Sequence, residues 1–83
     1  MAQYIVIGKR GTKEDRIPPD EVEGVISALT GTVPKGTRYT YQKGFFFESG
    51  DRQIWLTLDH HFLPVVEQAL MKQFGETYVV DYS

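Results

Sequence analysis

The 83-residue chain contains no cysteine. Disulfides, thiolate nucleophiles and cysteine-ligated zinc are excluded at the outset. Secreted domains of this size are usually stapled by disulfides, so a cysteine-free one is expected in the cytoplasm. Long apolar runs are also missing, and nothing approaches the roughly 18 apolar residues of a membrane span. In Met1–Arg10 the apolar run precedes the charges, the reverse of a secretory leader, so none is expected. Serine is scarce. Ser27 falls within a helical pattern, Ser49 in a tight turn and Ser83 at the terminus, none of them in a nucleophile setting. Net charge is low as well, −2 at neutral pH, which argues against indiscriminate nucleic-acid binding. Residues 1–16 and 31–53 lean basic while the helical regions lean acidic, a pattern that solvated surface charge accounts for.

What is present describes an ordinary globular chain, 41% hydrophobic and 24% charged, of a length that makes one domain over 1–83. Tyr4-Ile5-Val6-Ile7 reads as a first strand ended by Gly8. Pro18-Pro19-Asp20-Glu21 opens a helix, with proline in its first turn and carboxylates at its positive end. Val22, Val25, Ile26 and Leu29 form one apolar stripe, and Gly31 stops the helix. From Thr37 to Glu48 the pattern alternates, either as one strand with Gly44 as a bulge or as a hairpin turning at Lys43-Gly44. Ser49-Gly50-Asp51 is a turn, and Gln53 to Leu58 a strand. Asp59 caps a second helix that Pro64 permits only near its start and Gly75 ends; Thr77 to Tyr82 is the last strand. The order β-α-β-β-α-β predicts a ferredoxin-like open-faced sandwich: one antiparallel sheet with two helices on one face.

Catalytic and cofactor constellations are weak. His60-His61 lacks the i, i+4 spacing with which a helix presents two ligands to one metal, so no metal site is expected. Gly8-Lys9-Arg10-Gly11-Thr12-Lys13 is rich in glycine and cations but fails the spacing of a phosphate loop. The reading is a non-enzymatic domain without a cofactor.

The aromatic content, 13%, supplies the lead. Two helices cover one face of a four-stranded sheet and leave the other open, and open faces are normally polar. Period-2 alternation sends Ile5, Ile7, Ile54, Leu56, Leu58 and Val79 toward the helices. It leaves Tyr4, Val6, Trp55, Thr57, Tyr78, Val80 and Tyr82 on the open face, joined by either Tyr39, Tyr41, Phe45 and Phe47 or by Phe46. Tyrosine and tryptophan anchor interfaces because they bring apolar area with a polar tip. The expected anchors are Tyr4, Tyr39, Tyr41, Trp55 and Tyr82, with Arg38 and Lys43 as a charged rim. The expected partner is another protein or a second copy in a homodimer, with single-stranded nucleic acid as the alternative occupant.

Tyr4-Ile5-Val6-Ile7-Gly8-Lys9, the Lys43-Gly44-Phe45 step and Tyr78-Val79-Val80-Asp81 resemble subtilisin propeptide-like protease inhibitors. The resemblance implies the same strand order and, as a minor alternative, inhibition of a protease. The middle departs from that family through its longer aromatic strand and the Ser49-Gly50-Asp51 turn, and the tail such inhibitors place in a protease cleft is not expected after the last strand.

Overall fold

The computed structural model describes residues 4–42 and 53–82. Strand β1 (Tyr4–Lys9) leads through 3₁₀ turns at Lys13–Asp15 and Pro19–Glu21 into helix α1 (Val22–Leu29). Strands β2 (Tyr39–Gln42) and β3 (Gln53–Thr57) follow, then a 3₁₀ turn at His60–Phe62, helix α2 (Leu63–Phe74) and strand β4 (Tyr78–Tyr82). The strands form one antiparallel sheet in the order β2-β3-β1-β4. Both helices pack against one side of it, which makes the domain the α+β sandwich of ferredoxin-like type that the element order predicts.

The core lies between the sheet and the helices because each element offers it one apolar stripe. Ile5 and Ile7 of β1, Ile54 and Leu56 of β3, Val25 and Leu29 of α1, and Val66 and Leu70 of α2 are all buried. On both helices the buried pair is spaced i, i+4, one turn apart on the same face. Ile17 and Val33, from the connections on either side of α1, complete the core. Pro64 sits in the first turn of α2, where a missing N–H costs nothing, and Gly75 ends the helix at φ +67°.

Strand β1 does not stop at Gly8. It continues to Lys9, pairing Gly8 with Val79 and Lys9 with Tyr78. The glycine is required for close approach. A Cβ there would stand 2.5 Å from Asp15 Cβ and 2.8 Å from Asp15 O, so backbone would have to move. Alternation directs that position away from the helices, and the loop after β1 therefore folds over this end of the open face. The Thr12 hydroxyl holds the loop from within, lying 2.7 Å from the Lys9 carbonyl and 2.9 Å from that of Arg16. The alternatives for Gly44 as bulge or turn, with Phe45, Phe46, Phe47 and the turn at 49–51, lie outside the described residues.

Candidate functional site

Register fixes which side chains share the open face. Tyr4 pairs with Thr57, Val6 with Trp55 and Asp81, Thr40 with Trp55, and Gly8 with Val79. Cross-strand partners point to the same side. The apolar centre is thus Tyr4, Val6, Trp55 and Val79, bordered by Thr40, Gln53, Thr57 and Asp81. The Tyr4 and Trp55 rings meet edge to face, with centroids 5.0 Å apart and an interplanar angle of 62°. Val6 is only 8% exposed although it faces away from the helices. The Trp55 indole N–H is buried, and among the described residues it meets no acceptor.

Three expected anchors are not on this face. Tyr39, Tyr41 and Tyr82 pair with Leu56, Ile54 and Ile5 respectively, and all three pack against the core on the helix side. The Tyr41 hydroxyl donates to the Ile17 carbonyl at 2.7 Å, and burial raises the Tyr39 phenol above its ordinary pKa. The phase expected for β4 is likewise inverted, with Tyr78 and Val80 against the helices and Val79 outside. The deciding residue is Asp81. It shares the phase of Val79, and an unpaired carboxylate cannot go beneath two helices. That signal was in the sequence. Arg38 is exposed just ahead of β2, where its carbonyl accepts from the Thr57 N–H at 3.1 Å. By alternation it is in phase with Thr40, at the rim. Lys43 lies outside the described residues.

On the helix side, a polar triad that no local sequence pattern announces ties three segments together. Glu21 accepts from Lys9 Nζ and from the Tyr78 hydroxyl, each at 2.6 Å, across sequence separations of 12 and 57 residues. The Lys9 and Tyr78 hydrogen bonds hold the Glu21 carboxyl below its ordinary pKa of 4.5. Burial, and then the bond to Glu21, raise the Tyr78 phenol above its ordinary 10.0. The two shifts act at opposite ends of the pH scale. The stability Glu21 contributes is present above about pH 4.5 and is lost as pH falls through its lower folded value. That of Tyr78 is complete below about pH 10 and is lost as pH rises beyond it. Urea unfolding across this range is expected to show both losses, and Glu21→Gln is expected to remove the acid one and to reduce the alkaline one, since burial is then the main cause left raising the Tyr78 phenol.

Contacts of this kind also engage Lys9, at the end of β1, and Arg10, which opens the loop that follows. Lys9 is bound to Glu21, while Arg10 donates from its backbone N–H to the Thr77 carbonyl (2.8 Å) and from Nε to that of Glu76 (2.9 Å). These cations close the loop onto the domain rather than framing an anion site. At the start of α2, Asp59, His60 and His61 are all exposed and lie together. The Asp59 carboxyl is held below its ordinary pKa by the His61 backbone N–H, which it accepts at 3.3 Å, and then by the two imidazoles. Neither histidine borders the groove of about 550 Å³ between the loop after α1 and Tyr39, nor the smaller one of about 150 Å³ beside Arg10 and Tyr78. Among the described residues no helix is long and apolar enough to cross a membrane. The chain matches no protein-family model, and no curated protein or solved structure matches it significantly.

Proposed function

We propose that this chain is a non-enzymatic binding module of the cytoplasm that docks another protein, or its own copy as a homodimer, on the face of its sheet that points away from the helices. The observation that carries this reading is the make-up of the face: Tyr4, Val6, Trp55 and Val79 at the centre, polar side chains around them. An apolar centre with a polar rim is the anatomy of a protein interface. The expected inhibitor or adaptor role is the heterologous form of the same docking, and the resemblance to propeptide-like inhibitors adds the protease as one target.

Nucleic acid is the second reading. It is favoured by one specific placement, Tyr4 and Trp55 side by side on the two central strands, from which sheet aromatics stack bases. Against it, the charge that the described strands bring to this face is the carboxylate of Asp81, and Arg38 adds a single cation at the rim. A backbone-tracking groove needs several cations. Saturable quenching of Trp55 fluorescence by single-stranded oligonucleotides, fading steeply with salt, would favour this reading; no quenching at low salt removes it.

Thr40→Lys separates the outcomes for self-association, because it sets a charge beside Trp55 at little cost to the fold. Light scattering is expected to show a dimer for the unaltered chain and a folded monomer for the variant. A monomer at every concentration assigns the face to a different protein. A dimer that neither Thr40→Lys nor Trp55→Ala weakens overturns the reading.

A further inference from the structure

We propose that Asp59, His60 and His61 form a binding site for a divalent transition-metal ion of the zinc, nickel or copper type. The sequence argued against such a site because neighbouring residues on an α-helix diverge by about 100°. Here a carboxylate from the residue ahead of the turn bridges that divergence. Asp59 is extended (φ −65°, ψ 150°), and His60 and His61 open a 3₁₀ turn, so the carboxylate folds back over the turn and meets both rings. Asp59 Oδ1 lies 3.0 Å from His60 Nδ1 and 3.1 Å from His61 Nδ1. One donor atom from each of the three residues falls within 4.8 Å of the others.

Tetrahedral zinc with bonds of about 2.0–2.1 Å holds its donors about 3.3 Å apart. Both nitrogen–oxygen separations are within a few tenths of that value, and two exposed imidazoles can close the remaining distance by small side-chain rotations. The donor set, two imidazoles and one carboxylate, suits zinc, nickel and copper over magnesium or calcium. The rings are also partly held in place. His60 meets the Tyr82 ring edge to face at 5.5 Å, and His61 stacks on Phe62 at 5.4 Å. Restricting these rotamers before the metal arrives lowers the ordering cost of binding. Three protein ligands on an exposed turn leave the remaining coordination positions to water, so the site is labile, with affinity on the order of micromolar. The competing account is that Asp59 caps the turn and pairs electrostatically with the imidazoles, with no metal involved.

Isothermal titration of the tag-free, chelator-stripped chain with zinc chloride, repeated with nickel chloride, decides between the two. One ion per chain is expected. His60→Ala, His61→Ala and Asp59→Asn are each expected to weaken binding by at least about tenfold with the circular dichroism spectrum unchanged. Asp59→Asn keeps a capping side chain, so its loss of binding reports on the ligand rather than the cap. No saturable uptake up to about 1 mM zinc, or uptake undiminished in all three variants, overturns the proposal.

Discussion

Trp55→Ala is expected to weaken docking on the open face by about thirtyfold or more while leaving the domain folded. Trp55 sits in β3 with its ring against Tyr4, and its cross-strand partner is Val6. Truncation removes the largest apolar surface of the patch and uncovers Val6 beside it. An aromatic at the centre of an interface typically contributes 2 kcal/mol or more, about a thirtyfold loss of affinity. The fold survives because the ring, only partly buried, lies outside the core between sheet and helices. Its loss is expected to lower stability by about 1–2 kcal/mol, the range of an ordinary substitution. Trp55→Phe is the informative companion. Among the described residues the indole N–H meets no acceptor, so phenylalanine, which keeps an aromatic ring there, is expected to retain most of the binding. Light scattering or partner titration, with circular dichroism as the folding control, reads both variants. Unfolding of Trp55→Ala would assign Trp55 to the core and end the interface reading.

Ile54→Ala, one residue earlier, is expected to do the opposite. Ile54 is fully buried on a central strand, paired with Ile7 on one side and Tyr41 on the other. Removing three carbons there leaves a cavity that the two flanking strands cannot close, at a cost of about 2–5 kcal/mol. A domain of this length has only about 4–12 kcal/mol in hand. The melting temperature is expected to fall by roughly 10 °C or more, and any docking defect to follow from unfolding. Ile54→Val, which keeps the branched shape, is expected to cost about 0.5–1.5 kcal/mol and leave docking intact. Thermal melts of the two Ile54 variants and Trp55→Ala, each against the unaltered chain, test this. A cost for Ile54→Ala below that of Trp55→Ala would invert the two faces of β3.

The contrast between these neighbours was legible without a structure. Strict alternation in Gln53-Ile54-Trp55-Leu56-Thr57 assigns Ile54 and Leu56 to one side and Trp55 to the other. The helices were equally legible, because their apolar spacing and their proline and glycine punctuation act within a few residues. Strand β1 was legible in its faces, though not in where it ends. Its glycine answers to Asp15, seven positions away and brought there by a turn.

Local spacing and punctuation determined the order of elements, the two helical stripes, the open face of a two-layer sandwich and the residues β1 and β3 send to it. Each of those follows from interactions between residues close in sequence. Tertiary structure decided the side taken by the β2 tyrosines, and it supplied a partner to Tyr78, whose side Asp81 already signalled in the sequence. A tyrosine suits either the rim of a core or an open surface, so its phase is settled by what its hydroxyl and ring meet. Tyr41 went to the helix side, where the Ile17 carbonyl receives its hydroxyl, and Tyr78 went there with Glu21 as acceptor. Those partners stand 24 and 57 residues away, so packing had to deliver them. The three donors at Asp59, His60 and His61 are the intermediate case. Their identities are local, but it is the extended backbone of Asp59, ahead of the 3₁₀ turn, that brings one carboxylate oxygen to both imidazoles.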